Sequence, residues 1–177
     1  EVLLAIGGKI AESGLFNIYA VFLISFAVTA LGTSRTEALD AVLVGCVVEC
    51  FTLPFFGWLS DRVGRGRIYV IGALGQAVLA LVFFQVAGWH GFLGLALAAS
   101  LGIGLGHGCM YGAQAAFFAG LFPTRVRYSG LSLIQQVGPI LGGGLSPMIG
   151  TALLARGHGA PSQVVIYMLG IAVFSAT

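Results

Sequence analysis

Groups able to hold or pass a proton fall inside apolar stretches of this chain: a carboxylate at Glu49, an imidazole at His107 and a phenol at Tyr111. Ser100, His107, Tyr111 and Gln114 are offset by 0, 7, 11 and 14 residues, and a turn of about 100° per residue puts all four on one helical stripe. Ser132, Gln136, Pro139, Gly143 and Ser146 form a second small-or-polar stripe, with Gln135 beside it. Polar groups are costly in hydrocarbon and face a bundle interior or a water-filled cavity, so the two stripes outline a candidate cavity wall. Each residue has two readings. Glu49, shielded from water, is favoured in its neutral form and suits a proton carrier; it equally suits a structural bond to a neighbouring helix. His107 is a neutral interior histidine bonded to a carbonyl, or a substrate or proton group. Gln135 and Gln136 hydrogen-bond between helices, or touch a ligand.

Lys9 and Glu12 lie three residues apart on one face, with Asn17 deeper along the same helix. They read as a structural ion pair at the cytoplasmic edge, with Asn17 and Tyr19 as cavity candidates. The other concentration of charge is Gly57-Trp58-Leu59-Ser60-Asp61-Arg62-Val63-Gly64-Arg65-Gly66-Arg67. After Arg67 the next Asp, Glu, Lys or Arg is Arg125, and the stretch from Tyr128 to Ala155 has none.

The elements that must position these groups follow from composition. With 58% hydrophobic and 8% charged residues and a mean hydropathy of +1.02, the chain departs from soluble domains, where about 25% of residues are charged. It reads as all-α, a polytopic transmembrane helix bundle in the lipid bilayer, because a hydrocarbon core of about 30 Å takes roughly 20 apolar helical residues. Six spans are expected, over residues 5–32, 41–59, 68–87, 92–121, 130–154 and 164–177. The last would rise only about 21 Å; with Glu1 in place of an initiator Met, this points to a piece of something longer. Basic residues stay on the cytoplasmic side. Lys9, Arg62, Arg65, Arg67, Arg125 and Arg127 share one side, against Arg35 and Arg156 on the other. The net charge of +2 is accounted for by topology, with no nucleic-acid partner.

The 28 glycines, including Gly102, Gly104, Gly106 and Gly108, and Gly142 to Gly144, predict close helix packing. Pro54, Pro139 and Pro147 predict bends. Cys46, Cys50 and Cys109 form no disulfide or metal pattern and read as packing residues.

Gly57 to Arg67 resembles the cytoplasmic loop signature of the major facilitator superfamily, G-x-x-x-D-R-x-G-R followed by basic residues. The stretch from Met110 to Phe118, continuing from Leu121-Phe122-Pro123-Thr124-Arg125-Val126-Arg127-Tyr128-Ser129-Gly130, is similar to the metabolite:proton symporter branch, whose members carry organic acids, or zwitterions such as proline and betaine. Gly142-Gly143-Gly144-Leu145-Ser146-Pro147 continues the likeness. The resemblance implies the C-terminal six-helix half of a twelve-helix transporter in a bacterial inner membrane. Its implied partners are a small metabolite, a proton and the missing N-terminal half of the same polypeptide, and it works by alternating access around a midplane site. It implies no cofactor beyond the proton gradient that drives it. Gly57, Asp61, Arg62, Gly64, Arg65, Arg67, Arg125 and Arg127 would form a cytoplasmic gate, the carboxylate set against a helix N-terminus and the arginines against carbonyls or acids. Gly66 and Gly120 stand where relatives carry a basic residue and a Glu, which implies a latch with fewer partners. Ala113 stands for an expected Pro, which implies a straighter fourth helix.

Other classes remain in view. A channel or scaffold shares the glycine-rich helices but does not require the charged latch. An intramembrane hydrolase would use Ser132 with His107, although their spacing assembles no triad, and the chain is not expected to be an enzyme.

Overall fold

The computed structural model describes residues 2–89 and 91–176, with side chains from Ala5 to Ser175 within them. Six helices, and no strand, occur among the described residues. Helix α1 runs as Val2–Asn17, a π-helical turn Ile18–Phe22, and Leu23–Thr29. Helices α2 and α3 are Arg35–Val63 and Arg65–Ala87. Helix α4 comprises Phe92–Ala99, a π-helical segment Ser100–His107, and Gly108–Gly120. Helices α5 and α6 are Arg127–Arg156 and Ser162–Ala176. The first five are long and apolar enough to cross a membrane, and α6 is shorter.

Local chemistry explains where the helix ends differ from the sequence reading. Helix α2 begins six residues before Ala41 because Ser34 caps it. The Ser34 hydroxyl accepts from the Glu37 N–H at 3.2 Å, and the Glu37 carboxylate accepts from the Ser34 N–H at 3.4 Å. Helix α1 stops at Thr29, short of Gly32, whose φ of +67° turns the chain away. The charged stretch from Gly57 to Arg67 is not a loop. Gly64 alone, at φ +114°, separates α2 from α3, so Asp61 and Arg62 end one helix while Arg65 and Arg67 open the next. At Ala113 the helix is regular α, and the irregular part of α4 lies earlier, at Ser100–His107.

Helix α4 lies between α2 and α3, and α1 runs along α5 and touches α6. Glycines set these separations. A Cβ on Gly45 would lie 2.8 Å from the Ala99 carbonyl oxygen, one on Gly104 2.6 Å from Val48 Cγ1, and one on Gly112 2.9 Å from the Leu53 carbonyl oxygen. The α2–α4 contact is therefore a seam of small residues on which backbone meets backbone. Gly72 gives α3 the same approach to α4 at Met110. The core holds Leu15, Ile18, Tyr19, Phe22, Phe83 and Ile103. Helix α2 is the least covered span, with Leu43, Val47, Phe51, Phe55 and Trp58 exposed.

Candidate functional site

The seam brings Glu49 of α2 to His107 at the end of the π-helical segment of α4. His107 Nδ1 meets Glu49 Oε1 in a close contact, and its Nε2 lies 2.6 Å from Glu12 Oε1 on α1. The other Glu12 oxygen, Oε2, is 2.7 Å from the Lys9 ammonium and accepts from the Gln114 amide at 3.2 Å. Lys9 in turn donates to Gln114 Oε1 at 3.0 Å. The imidazole lies against Phe16, with centroids 4.4 Å apart, and stacks on Tyr111 at 5.1 Å. The Lys9 ammonium sits 5.0 Å from the centre of the same Tyr111 ring. Side-chain exposure is 5% for Lys9, 3% for Glu12, 7% for His107 and 12% for Glu49, whereas Tyr111 is 41% exposed. Tyr111 thus covers a buried ionic cluster and faces outward.

His107 and Glu49 lie about 20 Å from Gly120 and Val63, the ends of α4 and α2, and Glu12 is bonded to His107 at that depth. In a core of about 30 Å this is the middle of the bundle. Lys9 and Glu12 are therefore not the edge pair expected from sequence. Removing Lys9 from the cytoplasmic count leaves five arginines against two, so the inferred orientation is unchanged.

The hydrogen bonds fix what the cluster holds. A neutral imidazole has one N–H and one lone pair, so one of its nitrogens would turn a lone pair towards a carboxylate. Both contacts are satisfied only if His107 and its two carboxylates share two protons, one in each contact. With Lys9 charged, the four groups then sum to zero charge; with one proton fewer they sum to minus one. A net charge is expensive in this environment, whereas a neutral network bonded on every side is tolerated.

Other candidates from the stripes lie elsewhere. Ser100 donates to the Ala96 carbonyl of its own helix at 2.7 Å. Asn17 donates to the Ser13 carbonyl at 2.9 Å and packs against Gly143 of α5. Ser146 meets the Tyr167 hydroxyl at 3.0 Å. Gln135 and Gln136 line a separate groove of about 350 Å³, with Ala115, Tyr128, Leu131 and Ser132. Ser132 belongs to that groove while both nitrogens of His107 are engaged by carboxylates, so a Ser132–His107 pair is not assembled. Sequence reasoning did not select Gln76 of α3. It is fully buried, and neither atom of its side-chain amide has a hydrogen-bond partner among the described residues.

Comparison with known proteins adds the lineage. The Major Facilitator Superfamily model matches residues 6–177. The chain belongs to that superfamily. It is similar to the shikimate transporter of Escherichia coli, with 31% identity over 95% of this chain and 38% of the relative. It is also similar to the inner membrane metabolite transport protein YhjE of the same organism, at 29% over 94% and 39%. The proline/betaine transporter of Escherichia coli matches at 27% over 87% and 30%. The chain thus spans less than two fifths of the length of each of these relatives. As a superfamily member with several apolar spans, it is an integral, multi-pass membrane protein.

The superfamily signature here forms a local clasp. Arg65 donates to Asp61 Oδ1 from Nε at 3.2 Å and from a terminal nitrogen at 3.0 Å, which ties the end of α2 to the start of α3. Arg62 stacks on Trp58 at 4.2 Å. Arg127 donates to the Phe122 carbonyl at 3.3 Å. Arg67 and Arg125 are exposed and form no ion pair among the described residues. The two departures from the family pattern differ in cause. A Cβ on Gly66 would meet Phe117 at 3.2 Å, whereas one on Gly120 would meet nothing within 4 Å. Packing accounts for the first glycine, and nothing in the structure explains the second.

Proposed function

We propose that this chain is the C-terminal six-helix half of a proton-coupled secondary transporter that carries a small organic acid or zwitterionic metabolite by alternating access across a bacterial inner membrane. The observation that carries the reading is the imidazole of His107 held between two carboxylates at mid-bundle; in this reading the three groups gain or lose one proton as a unit. The names of the relatives support the substrate class. In this reading Tyr111, Gln114, Gln135 and Gln136 face the substrate path, and Asn17 holds α1 against α5. Gly57, Asp61, Arg62, Gly64, Arg65, Arg67, Arg125 and Arg127 form the cytoplasmic gate, with the exposed Arg67 and Arg125 meeting groups of the N-terminal half.

The test is uptake of labelled shikimate, proline and glycine betaine by the full-length protein in proteoliposomes. An inward proton gradient should drive saturable accumulation of at least one of them, and a protonophore should abolish it. His107→Gln should keep exchange of that compound across the membrane while losing the response to the gradient. Uptake of all three that does not saturate, as through a channel, or a gradient response that survives in His107→Gln, would sink the reading.

A further inference from the structure

Lys9 is the only lysine in the chain, and all seven arginines are exposed while Lys9 is buried. Among the described residues it is the single Lys or Arg side chain buried at mid-bundle, and its ammonium lies directly beneath the exposed ring of Tyr111. Its stem runs beside Gly138 of α5, where any larger residue would collide with it. The charge is directed at one carboxylate oxygen of Glu12 and the amide oxygen of Gln114. The groups around it are Glu12 on α1, Glu49 on α2, and His107, Tyr111 and Gln114 on α4. Tyr69 of α3 is also near, its hydroxyl bonded to Ser175 of α6 at 3.2 Å. Helix α5 brings Gly138 against the Lys9 stem.

Resting on the transport reading above, we infer that Lys9 is the anchor for a carboxylate on the transported molecule and that Glu12 is its stand-in when the site is empty. The charge balance supports this assignment. In the empty site Lys9 and the protonated His107 are balanced by Glu12 and Glu49. A substrate carboxylate that takes Lys9 from Glu12 adds one negative charge to a site that tolerates none. Balance returns when Glu12 takes up one proton, becoming a neutral carboxyl that stays bonded to His107. One monoanionic carboxylate and one proton therefore enter together, and the empty and loaded sites are both neutral. Tyr111 lies over Lys9 as the gate to that exchange.

The assignment is tested by equilibrium binding of two probes, shikimate and its neutral methyl ester, to purified full-length protein. Glu12→Gln removes the stand-in and leaves Lys9 bonded to Gln114, so it should bind shikimate about tenfold more tightly than the wild type. The double variant Lys9→Gln/Glu12→Gln removes a balanced pair and should stay monodisperse. It should lose shikimate binding to the level of the methyl ester. Glu12→Gln that binds shikimate no better than the wild type, or not at all, would overturn the assignment, as would a double variant that still prefers the acid to the ester. These readouts need no gradient. Failure of proton-driven uptake with the binding pattern intact would count against the transport reading alone.

Discussion

The geometry of the proposed proton site depends on how closely α2 lies on α4, and Gly112→Ala tests that dependence. A Cβ at Gly112 would lie 2.9 Å from the Leu53 carbonyl oxygen, 3.1 Å from the Gly57 nitrogen and 3.2 Å from Phe56 Cβ. The first two are backbone atoms and cannot turn aside. Restoring an ordinary contact of 3.4 Å requires the helices to part by about 0.5 Å. Overpacking of this kind costs about 1–3 kcal/mol, offset by about 0.5–1 kcal/mol because alanine is the better helix former. Gly75→Ala is the control, since a Cβ there meets nothing within 4 Å and only the helix gain applies. Unfolding of the purified full-length protein in an SDS titration should therefore separate the two variants by about 1–3 kcal/mol, with Gly112→Ala the weaker. Parting α2 from α4 also draws Glu49 away from His107, so proton-driven uptake should fall in Gly112→Ala and not in Gly75→Ala. Equal stability of the two variants would refute the close-packed seam. Reduced stability with unchanged uptake would refute its link to the site.

Three further outcomes are expected. Glu49→Gln removes one charge-assisted contact of His107 and should lower gradient-driven uptake by about tenfold or more, measured as initial rate in proteoliposomes, with exchange retained. Gln76→Leu replaces an unpartnered buried amide with an apolar side chain of similar size and should raise stability by about 1–3 kcal/mol in the same SDS titration; a loss would show that the amide has a partner. Gly64→Ala should destabilise the α2–α3 junction by about 1–3 kcal/mol, because its φ of +114° is strained for any residue with a Cβ, whereas Gly120→Ala should fall within about 0.5 kcal/mol of the wild type.

The chemistry of the site was partly legible in the sequence. Helical spacing put His107, Tyr111 and Gln114 on one face, and the cost of a charge inside a span singled out Glu49. The same reasoning applies to Lys9 and Glu12, which stand in an apolar run that continues without Asp, Glu, Lys or Arg to Arg35. Counting Lys9 as a topology marker placed the pair at the membrane edge. Helical periodicity assigns a face but not a neighbour, which is why Ser100, Asn17 and Ser146, each facing inward, bond to a local carbonyl or to Tyr167 instead of joining the cluster. The Ser34–Glu37 capping box was also readable, since its residue types have the spacing that marks a helix start. The π-helical segments Ile18–Phe22 and Ser100–His107 carry no such marker. The two segments pack against each other, with Tyr19 2.6 Å from the position a Gly102 Cβ would take.

In the proposed mechanism, the location of the charges restricts what can alternate. Lys9, Glu12, Glu49, His107 and Gln114 all belong to α1, α2 and α4 of one six-helix unit, and the glycine seam holds α2 on α4 through backbone contacts. A rigid-body swing of this unit against another half would leave every bond in the cluster intact. The exchange of proton and carboxylate must then be governed by access: by what reaches Lys9 past Tyr111, and by whether Glu49, the least buried member of the cluster, meets water. The Asp61–Arg65 clasp likewise closes within the unit. The residues left to bind and release across the two halves are the exposed Arg67 and Arg125, which makes them the basic groups for a gate between halves to act on, while the proton site travels as a fixed piece.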